Sequence, residues 1–228
     1  MVGNMGRIFL LNPFTKVSIL LPNQSTLPPI DQGVLCTVNE QSSNYIRKAM
    51  LLPTDNSNLD GNNFASSLVV AIYGTHHLAF CGPGDEAWTP FENHHLGESL
   101  EDIIFYDGNL YAIKLQYDLI LVELEGSYPK ASSCNIAPPA EREEDITLPL
   151  PSNEMVKTVY LVECLGELLM VVPCALFHDR SISPKTATFS IFKLDLQGRC
   201  WIKVNNLGDQ MLFIGTSTGC SVSTVDYP

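Results

Sequence analysis

Short apolar runs alternate along this chain with clusters of Gly, Pro, Asn and Asp, and almost none of it shows the periodicity of a helix. The runs are rich in Val, Ile, Leu, Phe and Tyr, which favour strands, and the clusters between them are typical of turns. The pattern therefore predicts an all-β protein built from hairpins.

One type of predicted hairpin turns on glycine. The clearest example spans residues 103–113 and turns at Asp107-Gly108, because Asp-Gly supplies the positive φ angles that a tight primed turn requires. A second spans residues 159–172 and turns at Leu165-Gly166-Glu167, and a third centres near residue 216. Successive glycine turns are therefore about 50 to 58 residues apart.

A longer type of hairpin alternates with the glycine-turn type. Its turns lie at residues 12–15, 82–85 and 195–198, and the second and third of these hairpins end near Trp88 and Trp201. Residues 119–124, followed by Glu125-Gly126, form a fourth candidate with a weaker second strand. One cycle thus contains four strands.

The two tryptophans also begin a longer repeat. Trp88 is followed by Leu96-Gly97-Glu98 and an apolar run, and Trp201 by Leu207-Gly208-Asp209 and another. Four strands in a cycle of this length predict a Kelch-like β-propeller of four-stranded antiparallel blades. A β-sandwich is the alternative, since it also has short strands and regular turns. The equivalent tryptophans favour packing between blades over stacking on a ligand.

The strand count predicts an incomplete propeller, with about four blades' worth of strands and a part-blade at each end. We interpret residues 1–228 as a single propeller domain or a fragment of one. Two loop excursions are expected, near 54–63 and near 137–151, and the second carries the charged run at 141–145.

Charge and composition exclude several classes of partner. With 25 acidic and 13 basic residues the formal net charge is −12, so no nucleic acid partner is expected. The longest apolar stretch, residues 168–177, contains Pro173 and is too short to cross a membrane, so no membrane partner is expected.

The N-terminal apolar run is too short for a signal peptide, which predicts an intracellular protein, cytoplasmic or nuclear. The seven cysteines include no CxxC pair and are interpreted as reduced thiols.

Few residues suggest catalytic or metal chemistry. One histidine from each of His76-His77 and His94-His95 could form a metal site with Asp85 or Glu86, although loop-exposed histidines are the simpler interpretation. Cys36 and Cys81 lie near turns, but the spacing nominates no base for a cysteine nucleophile. We therefore expect no metal and no cofactor.

Two further motifs are weak. Gly82-Pro83-Gly84-Asp85 is only superficially similar to a phosphate-binding loop, because Pro83 lacks an N–H donor and no helix follows, and we predict a turn. Glu163 and Glu167 could act as an acid and base pair, but both flank a hairpin, where carboxylates are normally solvated. No catalytic residue is predicted.

Several segments, in this order, carry a family resemblance: LLNPFT at 10–15, LAFCGPGDEAWT at 78–89, EDIIFYDGNLYA at 101–112, YLVE at 160–163 with GELL at 166–169, FKLD at 192–195, LGDQMLFIG at 207–215 and DYP at 226–228. Together they resemble the KIB-type β-propeller domain of plant F-box proteins, a domain of unknown function. The resemblance covers most of the chain.

The resemblance implies a non-enzymatic, protein-binding propeller, the target-recognition domain of an F-box subunit of SCF ubiquitin ligases. No amphipathic helix precedes the first predicted strand, so the F-box is missing and no Skp1-like adaptor is expected to bind. The expected partner is a client protein, and the resemblance nominates no partner-binding residues. Two alternatives stay open: a propeller enzyme or carbohydrate-binding module that uses the central channel, and a degenerate, truncated copy of the family.

Overall fold

The computed structural model describes residues 8–12, 14–28, 46–53, 67–74, 76–91, 100–124, 130–139, 158–176, 185–216 and 218–225. Within these ranges the chain forms sixteen strands and one short 3-10 helix, Gln24–Thr26. The expected excursion at 54–63, and residues 140–151 of the second one, lie outside the described residues, as do Cys36, His94-His95 and residues 96–98.

The chain divides into two compact units, residues 1–94 and residues 95–228. The first unit contains a two-stranded sheet, β1-β2, and a four-stranded antiparallel sheet in the order β3-β4-β5-β6. Its strands are β1 (Phe9–Leu11), β2 (Ser18–Leu20), β3 (Ile46–Pro53), β4 (Ser67–Tyr73), β5 (His77–Cys81) and β6 (Thr89–Pro90).

The second unit contains two four-stranded antiparallel sheets, β7-β8-β9-β10 and β11-β12-β13-β14, and a two-stranded sheet, β15-β16. Its strands are β7 (Leu100–Tyr106), β8 (Asn109–Lys114), β9 (Leu119–Glu123), β10 (Lys130–Ser133), β11 (Tyr160–Cys164), β12 (Glu167–Leu176), β13 (Lys185–Asp195), β14 (Cys200–Lys203), β15 (Gln210–Ile214) and β16 (Gly219–Ser223). Every sheet in both units joins consecutive strands, which is the topology of a propeller blade and differs from the Greek-key order of a β-sandwich.

The predicted glycine-turn hairpins are confirmed. Asp107 and Gly108 have φ angles of 47° and 75°, and Leu165 and Gly166 have φ angles of 53° and 73°. Each pair is therefore a two-residue turn with positive φ at both positions, which matches the twist of the strands it joins. The hairpin near residue 216 is also present, as β15 and β16.

The longer hairpins turn on side-chain hydrogen bonds. Asn12 Oδ1 accepts from the backbone N–H groups of Phe14 and Thr15, at 2.9 and 3.1 Å. Asp195 Oδ1 accepts from those of Gln197 and Gly198, at 3.0 and 2.9 Å. A short polar side chain that binds the backbone two and three residues ahead is the mechanism by which Asn and Asp favour turns.

Trp88 packs between two sheets of the first unit. Its side chain is 3% exposed and lies in one core with Leu21 and Leu27, which follow β2, and with Val69 and Ala71 of β4. Its indole N–H donates to the backbone oxygen of Pro22 at 3.0 Å. Because Pro22 follows the last strand of the two-stranded sheet, Trp88 ties that sheet to the four-stranded sheet beside it.

Trp201 has equivalent surroundings in the second unit. It is 5% exposed and shares a core with Tyr111 of β8, with Ile136, which follows β10, and with Phe192 of β13. Its indole Nε1 has no hydrogen-bond partner in the described part of the chain. The prediction that both tryptophans pack between neighbouring blades is confirmed, with a difference in hydrogen bonding that the sequence does not show.

Candidate interaction surface

The glycine-turn ends of two blades meet in the second unit. The hydroxyl of Tyr106, at the end of β7, donates to the backbone oxygen of Gly166 at 2.8 Å, across the turn between β11 and β12. The Tyr106 ring also packs against Tyr111, with a centroid distance of 6.3 Å. The hydrogen bond holds the two turns side by side, and the ring contact within the β7–β8 hairpin supports Tyr106.

A shallow cleft of about 400 Å³ opens beside these turns. We call it the turn-end cleft and define it by the residues that line it: Ile104, Phe105, Glu163, Leu165 and residues 219–221. Its wall on β16 packs closely, because a Cβ atom on Gly219 would lie 2.8 Å from Val162 Cγ2 and 3.3 Å from the backbone oxygen of Leu161. The cleft thus draws on three strands of three neighbouring sheets.

The electrostatic field near the turn-end cleft is negative. Burial raises the pKa of the Tyr106 hydroxyl, and the carboxylates of Asp107, Glu163 and Glu167 raise this pKa further. Glu167 is neutralised by Lys193, whose Nζ lies 2.9 Å from Glu167 Oε1. Glu163 forms no ion pair within the described ranges, so its charge is available to a ligand.

Asp102 anchors the strand that forms one wall of the cleft. It is 4% exposed, and a register shift in the β7–β8 ladder lies beside it. Its Oδ1 accepts from the backbone N–H of Ile103 and its Oδ2 from that of Leu161, each at 2.8 Å. The second bond joins β7 to β11 and therefore fixes the spacing of the two strands that carry Ile104 and Glu163.

The suggested acid and base pair is not formed. Glu163 is directly opposite Leu168, and Glu167 is directly opposite Cys164. Directly opposite residues share a face and adjacent residues alternate, so Glu163 and Glu167 point to opposite faces of the sheet. Of these two glutamates, Glu163 lines the turn-end cleft and Glu167 does not.

The histidine hypothesis loses its carboxylate ligands. His77 begins β5, where its ring lies 5.4 Å from that of Tyr73, and Asp85 and Glu86 lie beyond the other end of this strand. A strand of this length separates them by roughly 13 Å. Asp85 Oδ2 instead accepts from the backbone N–H of Gly82 at 2.7 Å, which closes the predicted turn. Among the described residues, no group of three His, Cys, Asp or Glu side chains could hold a metal ion.

Cys81 is placed where a nucleophile cannot act. Its side chain is fully buried in the first unit's core. Burial, and secondarily the Asp85 carboxylate, raises the pKa of the Cys81 thiol to about 12. The thiolate is the reactive form of cysteine, so Cys81 stays inert at neutral pH. The five cysteines whose side chains are described are all free, and of these Cys220 is exposed.

This difference predicts selective labelling. With iodoacetamide at pH 8, below the pKa of Cys81, we expect Cys220 to be alkylated while Cys81 is protected, as peptide mass spectrometry would measure. In concentrated urea the two cysteines should react at similar rates, which controls for their peptide context. Equal labelling of the two in the folded chain would contradict the placement of Cys81.

Sequence reasoning missed the residues of the turn-end cleft. Leu165 could have been noticed in the sequence, because it precedes the turn glycine where Asp107 stands in the equivalent hairpin. A bulky apolar residue is unusual at this left-handed turn position. A local choice that contradicts the turn's requirement is a mark of functional sites. Cys220 and Ser221 carry no such signal, since their role depends on how β16 packs.

None of the helical segments in the described ranges has the length and hydropathy of a membrane-spanning helix.

Comparison with known proteins agrees with this architecture. The family model of the KIB1-4 beta-propeller matches residues 1–228. Two similar Arabidopsis thaliana proteins are named as F-box proteins, At5g55150 and At2g17036. The first is 29% identical over 209 residues, which cover 91% of this chain and 49% of the relative. The second is 25% identical over 176 residues, which cover 70% of this chain and 37% of the relative.

The chain thus spans about half the length of the first relative and less of the second. No solved structure matches it with significance. The match over the full sequence, together with consecutive four-stranded antiparallel sheets and a tryptophan between neighbours, shows that this chain belongs to the KIB1-4 beta-propeller family.

Proposed function

We propose that this chain is a non-enzymatic, protein-binding propeller that recognises a client protein for an F-box assembly. The observation that carries the proposal is the turn-end cleft, where the exposed side chains of Leu165 and Glu163 lie together and form a surface suited to contact. Family membership and relatives named as F-box proteins support the proposal.

The proposed mechanism is positional. A client held on the propeller would have its lysines at high effective concentration near a ligase, once an F-box joins the assembly to a Skp1-like adaptor. Such a role requires a rigid contact surface and no reacting groups. An intracellular compartment, cytoplasmic or nuclear, belongs to the same proposal.

An enzyme that acted at the turn-end cleft, in contrast to one that uses a central channel, would require more than the cleft supplies. Glycoside hydrolysis, for example, normally uses two carboxylates on either side of the bond that is cleaved. The described cleft contributes Glu163, whereas Glu167 points to the opposite face and pairs with Lys193. The geometry therefore favours contact over catalysis.

The test is reconstitution with and without an F-box. We expect residues 1–228 to capture the same client from plant extract whether or not a Skp1-like protein is added, as quantitative mass spectrometry would show. Fusion of an F-box to the chain should then allow that purified client to be ubiquitinated in a reconstituted SCF ligase.

The control is an equally acidic, unrelated propeller fused to the same F-box. Absence of any client enriched above this control, or equal ubiquitination with it, would refute the proposal.

A further inference from the structure

We propose that the turn-end cleft binds a short peptide segment in which a lysine or arginine side chain lies beside a large apolar side chain. This inference rests on the proposed function, because the segment would belong to the client. It names the chemistry of the client and the residues that would recognise it.

The apolar part of the site is the exposed side chain of Leu165, which lies beside the partly exposed Phe105 and the buried Ile104. Leu165 is 76% exposed and has a φ of 53°. A bulky residue in the left-handed region stores strain, and an exposed leucine has no burial to offset it. Asn or Asp would fill this turn position more easily, as Asp107 does in the neighbouring hairpin. A partner that covers Leu165 explains the choice of an apolar residue here.

The charged half of the site is Glu163. Its side chain is exposed, it lines the same cleft as Leu165, and it forms no ion pair within the described part of the chain. Asp107 lies near enough to Tyr106, as Glu163 does, to act on the same hydroxyl. Charge complementarity therefore selects a cationic group and disfavours an acidic one.

The size of the cleft suits a side-chain anchor. A volume of about 400 Å³ is within the range of small-ligand pockets and is too small for a folded domain. Cys220 and Ser221 of β16 add polar atoms to the lining of the cleft. One apolar side chain and the adjacent cationic group would fill this space, and the rest of the client would lie outside it.

The experiment uses peptides as the probe. A displayed random dodecapeptide library is selected on the immobilised chain, and enriched peptides are synthesised together with copies in which each Lys or Arg is replaced by Glu. We expect enrichment of a basic residue next to Leu, Ile, Phe or Trp. Fluorescence anisotropy should show weaker binding of the Glu copies, and weaker binding of the parent peptides at high salt.

Three variants locate the site. Glu163→Arg is expected to weaken the parent peptide about tenfold or more and to favour the Glu copy, because the variant reverses the charge. Leu165→Asn is expected to weaken binding about three- to tenfold while its thermal midpoint is at or above that of the original chain, since Asn tolerates the left-handed turn. Asp118→Arg is the matched control: Asp118 is exposed in the same unit at the opposite end of β8, and binding should change less than twofold.

Protection of Cys220 gives a second, independent measurement. A bound peptide should slow the alkylation of Cys220, and the Glu copy should not. If no basic-apolar motif is enriched, or if Glu163→Arg binds the parent peptide as tightly as the original chain does, the inference is overturned. Self-association that Glu163→Arg abolishes, without peptide enrichment, would assign the cleft to a second copy of the chain and overturn it as well.

The two proposals can fail separately. If client capture is unchanged by Glu163→Arg, the inference about this cleft is refuted and the protein-binding function remains. If peptides bind but the F-box fusion does not support ubiquitination of the client, the cleft remains as a binding site and the role in an F-box assembly is refuted.

Discussion

Replacement of Trp88 by alanine is expected to lower the free energy of unfolding of the first unit by about 3–5 kcal/mol. The side chain is buried between the two-stranded sheet β1-β2 and the four-stranded sheet β3-β4-β5-β6. Its removal therefore leaves a cavity in the core that joins these two sheets. It also leaves the backbone oxygen of Pro22 without its indole donor. Urea denaturation followed by far-ultraviolet circular dichroism measures the change, and a loss below about 1 kcal/mol would contradict this packing of Trp88.

Replacement of each tryptophan by phenylalanine allows the stabilities of two matched variants to be compared. Trp88→Phe removes a hydrogen bond to Pro22, whereas Trp201→Phe removes an N–H that has no partner in the described residues. Since a buried unpaired donor is itself unfavourable, Trp201→Phe should cost at least about 1 kcal/mol less than Trp88→Phe. Equal losses would show that the indole N–H groups have equivalent partners.

Each single variant also leaves one tryptophan as a local probe, because the chain has two. Fluorescence then reports the first unit in Trp201→Phe and the second unit in Trp88→Phe. Coincident unfolding curves would support the prediction that residues 1–228 form a single domain.

Asp102→Ala is expected to destabilise the second unit by about 3 kcal/mol. The substitution leaves the backbone N–H groups of Ile103 and Leu161 without the oxygens that accept from them now, in a place where Asp102 is almost inaccessible to water. An unpaired buried donor is unfavourable by about 1–3 kcal/mol, and two donors are affected. Urea denaturation measures the total, and faster amide hydrogen exchange at Leu161 locates it.

Two variants calibrate this result. Asp102→Asn keeps one side-chain oxygen and should lose about half as much as Asp102→Ala. Glu123→Ala removes an exposed carboxylate from β9 in the same unit and should change stability by no more than about 0.5 kcal/mol. If Asp102→Ala resembled Glu123→Ala, the bond between β7 and β11 would have no structural importance.

Much of the local structure could be predicted from the sequence because it depends on neighbours along the chain. Asp107-Gly108 and Leu165-Gly166 mark two-residue turns, and the apolar runs beside them fix the strands and the register. The equivalent positions of Trp88 and Trp201 were enough to predict packing between blades. The same local logic identified residues 82–85 as a turn, which Asp85 closes.

The candidate site could not be predicted in this way. Glu163, Leu165 and residues 219–221 come together only when three sheets pack side by side. Asp102 reads as an ordinary acid at the start of a strand, and its bond to Leu161 spans 59 residues. His77 suggested a metal site with Asp85, but the length of β5 separates these two residues.

The sequence by itself therefore determined the all-β class, the predicted hairpins with their turns, and the cycle of four strands. Tertiary structure alone decided which carboxylate lines a cleft, which thiol is buried and which indole has a hydrogen-bond partner. The physical reason is that turn geometry and side-chain alternation act over a few residues, whereas burial and charge depend on the atoms that distant segments bring into contact.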